Sequence, residues 1–187
     1  MQTIPLTNLA LTFVPVGIVV LILHRWSLGS GTAAYSVLRM LVHLLLIGYV
    51  LTYIFETERS LVVLAVLVVM LVVSSWIALR PLVGKGQRVY SKMLFSISLG
   101  GVTTLALIST VVLDLEPWFA PSMIIPLAGM IFANSMNTAS VAAERFESER
   151  LTVDYYHARQ RAMNAAMIPV INSMFAVGLV SLPGMMT

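Results

Sequence analysis

The sequence predicts an all-α fold: a polytopic bundle of transmembrane helices with about five full spans, a partial sixth and one cytoplasmic helix. Three observations lead there. Of the 187 residues, 59% are hydrophobic and 10% are charged, where soluble domains carry about 45–50% and about 25%; the mean hydropathy is +0.94. The apolar residues gather in windows of about 20, the length a helix needs to cross the hydrocarbon core. Charge, finally, alternates between successive connections, as it does in chains that thread a bilayer.

The first span, near 4–23, opens on MQTIPLTNLALTF. That stretch lacks the basic n-region and small-residue cleavage site of a signal peptide, so it reads as a retained span. Further windows lie near 35–55, 60–79, 93–113 and 123–143, and a sixth, 165–186, starts at Ala165 and is cut off at Thr187. Residues 1–187 read as one transmembrane domain. Arg25 follows the first span, Arg80, Lys85, Arg88 and Lys92 the third, and Arg145, Arg150, Arg159 and Arg161 the fifth: nine of the eleven basic residues. Glu56, Glu58 and Arg59 follow the second span, Asp114 and Glu116 the fourth. The positive-inside rule therefore puts the odd connections in the cytoplasm and the N-terminus outside.

In the fourth span Ser96, Gly100 and Thr104 recur every fourth residue, beside Gly101 and Thr103. This small-xxx-small face suits close helix packing. The connection RPLVGKGQRVYSK, with Pro and two Gly, reads as a short cytoplasmic turn. The longest polar stretch, Glu144–Arg161, has neither Gly nor Pro. Arg150, Asp154, His157 and Arg161 fall there at i, i+4, i+7 and i+11, so a helix near 144–162 sets them on one face. Such a helix lies on the membrane, presents its ladder to a soluble partner, or extends the fifth span into solvent; all three stay open.

The polar residues of spans five and six carry the functional signal. IIPLAGMIFANSMNT places Met130, Asn134, Asn137 and Thr138 along one stripe of an otherwise apolar helix, and MIPVINSM adds Asn172, Ser173 and Met174. Amides at membrane depth need polar partners, so the two stripes are expected to face each other and line a substrate path. Near the cytoplasmic end of the second span Arg39 is either a snorkelling structural residue or the positive wall of a cytoplasmic vestibule, with His43 one turn deeper; His43 is also open as a metal ligand, without partners at ligand spacing. Twelve methionines suit a soft cation such as Cu(I) and serve equally as flexible filler. No metal ligands are assigned.

Several function classes drop out. Zero cysteines exclude disulfides, zinc-thiolate sites and iron–sulfur clusters. The patterns G-x-x-x-x-G-K-[ST] and H-E-x-x-H are absent, and no Asp or Glu lies deep in a span. The chain therefore has no nucleotide site of the common kind, no intramembrane hydrolase pair and no titrating proton relay. The net charge of +3 is modest, and no nucleic-acid partner is expected. Energy for any transport must come from elsewhere.

IIPLAGMIFANSMNTASVAAERFESE, followed by AAMIPVINSMFAVGLVSLPGMMT, resembles the Fet-type permease family of ABC transporters, whose bacterial members are linked to iron export and whose plant relatives are linked to aluminium tolerance. RMLVHLLLIGYVLTYIF in the second span fits the same family, with His43 in place of Gln. The likeness runs over residues 35–187 and is most specific in VGLVSLPGMM. It implies a non-enzymatic permease subunit in the bilayer, in bacteria the inner membrane, acting as a homodimer. It also implies a separate ATP-binding cassette ATPase subunit that holds ATP and Mg, with no cofactor in this chain. Arg150, Asp154, His157 and Arg161 would then face that ATPase. Family members carry a longer cytoplasmic segment with a Leu-Gly-Ala-Thr turn and continue past LPGMMT, so part of the coupling segment and the C-terminal spans are expected to be missing here. The implied function is export of a metal ion such as iron. An organic or sugar-nucleotide substrate suits an uncharged Asn/Ser/Thr lining as well, and a non-transporting scaffold is the alternative from another class.

Overall fold

The computed structural model describes residues 11–28, 30–55, 59–82 and 86–176. Every regular element among them is helical: α1 (Phe13–Arg25), α2 (Ser30–Phe55), α3 (Ser60–Ala78), α4 (Gln87–Ala106) with a π-helical continuation (Leu107–Val112), α5 (Pro121–Glu149) and α6 (Tyr155–Ala176). They cluster in two compact units, Met1–Glu56 and Thr57–Thr187, where the sequence reading has one domain. α2, α3, α4 with its π continuation, and α5 are each long and apolar enough to cross a bilayer. α1 is apolar but has 13 residues; the start of the expected 4–23 span lies outside the described residues, as do VGLVSLPGMM and the rest of the expected sixth span from 177 onward.

In the first unit α1 closes with Leu28 N–H donating to Leu23 O at 2.9 Å and Ser27 N–H to His24 O at 3.1 Å. Ser27 takes the left-handed φ of 54° that this C-terminal motif requires. α1 has no buried residue, so this pair of helices supplies no core of its own.

The second unit is built around α5, which packs against α3, α4 and α6. α3 is apolar on every side; its buried Ser74 and Ser75 satisfy their hydroxyls by donating to Leu71 O at 2.9 and 2.8 Å. α5 starts with Pro121 in its first turn, where a missing N–H is harmless, and buries Ile124, Ile125, Ala128 and Phe132. At one end of the unit Ala78, Leu79, Leu82, Met93 and Ile97 form a core against which Met136, Ala139 and Ala143 pack. There Ser140 Oγ donates to Ala78 O at 2.9 Å, meeting a last-turn carbonyl of α3 that the helix itself leaves open.

α4 corrects one expectation. Its buried residues are Met93, Ile97, Gly101 and Leu105, whereas Ser96, Gly100 and Thr104 are exposed. A Cβ at Gly101 would lie 2.9 Å from the Phe132 ring, while one at Gly100 would meet nothing within 4 Å. The packing glycine is thus one position beyond the small-residue stripe. The inward face is set by the larger Met, Ile and Leu side chains, which fill space between helices that a stripe of small residues leaves empty. The exposed Thr104 hydroxyl turns back to Gly100 O at 2.7 Å. α4 then widens: Leu113 N–H reaches Ile108 O at 2.9 Å, five residues back, and Asp114, at φ 46°, ends the helix.

Candidate functional site

The α5 residues expected on a substrate path lie on the face away from its core. With Ile124, Ala128 and Phe132 turned inward, the 100° step per residue carries Met130, Asn134 and Asn137 to the far side. All three are exposed, Met130 at 54%, and Thr138 is half-buried. Thr138 Oγ1 donates to the backbone Asn134 O at 2.9 Å and engages neither amide side chain. On α6, Asn172, Ser173 and Met174 are also exposed, and Ser173 Oγ donates to Val170 O at 2.7 Å. No hydrogen bond joins the α5 amides to Asn172 or Ser173 among the described residues. The expected pairing of the two stripes is therefore not made within one chain. α6 rests on α5 through small residues instead, its buried positions being Ala158, Ala162 and Ala166.

The expected helix near 144–162 is broken. α5 runs on to Glu149, a turn covers 150–154, and α6 starts at Tyr155. The local cause is Thr152-Val153-Asp154. Two β-branched residues weaken the helix, and Asp154 starts a new one by accepting the Tyr156 N–H at 3.1 Å on Oδ2 and capping with its own carbonyl the Ala158 N–H at 2.9 Å. The four-residue ladder is dispersed accordingly. The Arg150 guanidinium lies over the Phe146 ring, 5.7 Å from its centroid. His157 Nδ1 pairs with Asp154 Oδ1 on the surface. That hydrogen bond from His157, with the Tyr156 N–H, holds the Asp154 carboxyl below the usual carboxylate range.

Arg161 goes to a residue the sequence reading passes over. Glu149 is buried, and its two oxygens meet Arg145 Nη2 at 2.5 Å and Arg161 Nη1 at 2.8 Å, clasping the end of α5 to the first turns of α6. Its signal in the sequence is the i, i+4 spacing from Arg145. Edge-on contact between Phe146 and Tyr155, 5.5 Å between centroids, reinforces the clasp. In the first unit, Arg39 and His43 are exposed one turn apart on α2.

Charge is polarised along the second unit. Arg80, Arg88, Lys92, Arg145, Arg150, Arg159 and Arg161 collect where α3 and α5 end and α4 and α6 begin, together with Glu144, Glu147, Glu149 and Asp154. The opposite end holds Arg59, Asp114 and Glu116. Among the described residues no cluster of three His, Asp or Glu side chains is placed to hold a metal ion.

The family model described as "Uncharacterised protein family (UPF0014)" matches residues 6–152 and 152–187. The two stretches meet at Thr152, inside the α5–α6 turn. A UPF0014 membrane protein of Synechocystis is 31% identical, over 84% of this chain and 67% of its own length. A protein of Escherichia coli named a probable iron export permease is 29% identical over 96% of this chain and 74% of its own length. The Arabidopsis thaliana protein named ALUMINUM SENSITIVE 3 is 28% identical over 84% of this chain and 62% of its own length. The alignment with the E. coli protein runs over 197 positions, more than the 187 residues present here, so that relative carries residues without a counterpart in this chain. No solved structure matches the chain.

Proposed function

We propose that this chain, which belongs to the UPF0014 family of membrane proteins, is the permease subunit of an ABC-type exporter. It works as a homodimer with separate ATPase subunits that hold ATP and Mg, and it moves a metal cation such as iron outward. The outward stripe of Met130, Asn134 and Asn137 on the central helix of the second unit carries this reading. Amides turned to lipid at that depth are costly. A second copy facing the stripe would enclose it as a wetted lining of neutral amide and thioether donors, which bind and release a cation without trapping it by charge. The E. coli relative named for iron export covers nearly the whole chain and supports the choice of cargo.

The surface pair Asp154–His157 on the α5–α6 turn is the contact offered to the ATPase, because it stands clear of the clasp that fixes the two helices. The basic end of the second unit faces the cytoplasm and the N-terminus lies outside, in keeping with the positive-inside rule. The test is iron efflux from vesicles holding the complete permease with its ATPase. Asn134→Leu with Asn137→Leu should cut efflux by about tenfold, the factor that about 1.4 kcal/mol of lost ligand stabilisation gives, with ATPase co-purification intact. Unchanged efflux in that variant would remove the stripe from the path.

A further inference from the structure

A groove at the basic end of the second unit has no part in the transport reading. It is a cavity of about 540 Å³ between the start of α4 and the end of α5. Val89, Phe146 and Leu151 give it apolar walls, and Lys92, Arg150 and Glu147 its charge. Neither Lys92 nor Arg150 has a carboxylate partner among the described residues. Glu149, next to Arg150 in the chain, is occupied by Arg145 and Arg161, and Glu147, in the lining, makes an interaction of its own. The Arg150 guanidinium lies over the Phe146 ring, and among the described residues no hydrogen bond uses its donors. With Glu147 counted, the lining keeps a net positive charge.

The surroundings of this groove suit a bilayer surface. Leu151 is 86% exposed, and Tyr155 and Tyr156 are 66% and 67% exposed on the adjoining turn of α6. Apolar area of that kind costs about 25 cal/mol per Å² in water and is covered among headgroups and upper acyl chains. Trp76 and Tyr90 line a second cavity beside it with Arg80, the aromatic-plus-basic belt typical of a membrane interface. An apolar wall continuous with the spans, with a net positive charge where the spans end, matches a phospholipid and not a free solute. An acyl chain would lie on Val89, Phe146 and Leu151, and its phosphate would sit between Lys92 and Arg150. A choline or ethanolamine cation would meet those same charges, so the match is to an anionic headgroup.

We propose that this groove is a binding site for the headgroup phosphate of an anionic phospholipid, anchoring the α5–α6 turn to the membrane surface. The site does not depend on what the protein transports. The test is native mass spectrometry of the full chain offered equal amounts of dioleoylphosphatidylglycerol and dioleoylphosphatidylcholine. The wild type should retain the glycerol lipid with about tenfold preference, a difference of about 1.4 kcal/mol. Lys92→Gln with Arg150→Gln should abolish the preference, and Arg159→Gln, away from the groove, should keep it. Equal retention of both lipids by the wild type overturns the proposal without any variant. So does a preference that survives the double substitution, or in its place Lys92→Gln alone should the pair fail to fold. Full displacement by millimolar glycerol phosphate would make this a soluble-phosphate site, and loss of ATPase co-purification with lipid preference unchanged would make it a protein docking surface. Either result refutes the lipid assignment.

Discussion

The two faces of the α4–α5 layer differ in what they do with small and polar residues. On the inner face Gly101 receives the Phe132 ring, and a single added methyl would lie 2.9 Å from it. On the outer face a Cβ at Gly100, one residue away, would meet nothing within 4 Å, and Asn134 and Asn137 project from the same helix that buries Phe132. Lipid is as apolar as leucine, so hydrophobicity does not decide which side of such a helix turns inward; interlocking shape does. The inner face is organised by fit, and the outer face is free to carry polar groups that stability does not need.

The largest effect that separates the faces is expected from Phe132→Ala, which should cost about 3–5 kcal/mol because it leaves a cavity over Gly101. Unfolding of the detergent-purified chain measures it, and a loss below about 1 kcal/mol would mean that the inner face is not held by fit. Gly101→Ala comes next, at about 1–3 kcal/mol for overpacking. Combining it with Phe132→Leu should recover part of that loss, and strictly additive losses would show that the two positions do not share one space. On the outer face Gly100→Ala and Asn134→Leu should each stay within about 0.5 kcal/mol of the wild type. If Asn134→Leu instead destabilises the chain by about 0.6–2 kcal/mol, the amide pairs across packed helices and the outer face is structural after all.

The smallest expected effect lies at the α5–α6 turn. The Asp154 carboxyl is held below its ordinary value by the His157 hydrogen bond, so its folded pKa lies under the unfolded value of about 3.9. Its contribution to the start of α6 is complete above that unfolded value and is lost as the pH falls through the lowered folded one. Both side chains are exposed, so solvent screening keeps the contribution small. Protection of the Tyr156 and Ala158 amides, taken relative to the intrinsic exchange rate at each pH, should fall as acid protonates Asp154, and should lose that dependence in Asp154→Asn. The same acid response in both proteins would locate the titration elsewhere.

Much of the fold was legible in advance. Windows of apolar residues marked α2, α3, α4 and α5 as spans within a few residues of where the helices run, because length and composition are enough to recognise a helix that must satisfy its backbone inside lipid. The break at 150–154 was also legible, in a β-branched pair followed by a capping Asp, but a search for Gly and Pro passes over it. The single-face geometry of the ladder is lost with it: i, i+4 arithmetic holds only while one helix continues, and Arg150 and Arg161 make different contacts.

By itself the sequence determined that the chain is a helical membrane protein, how its charge alternates along the chain, and which spans carry amides. These follow from composition and local spacing, and no neighbour is needed to read them. Tertiary structure decided that Gly101 and not Gly100 takes the close contact, that the amides of α5 face outward, and that Glu149 is buried between Arg145 and Arg161. In each case the outcome depends on the angle at which one helix meets another. A helix apolar over most of its surface offers several faces of nearly equal hydrophobicity, so only the shapes of the neighbouring side chains select among them.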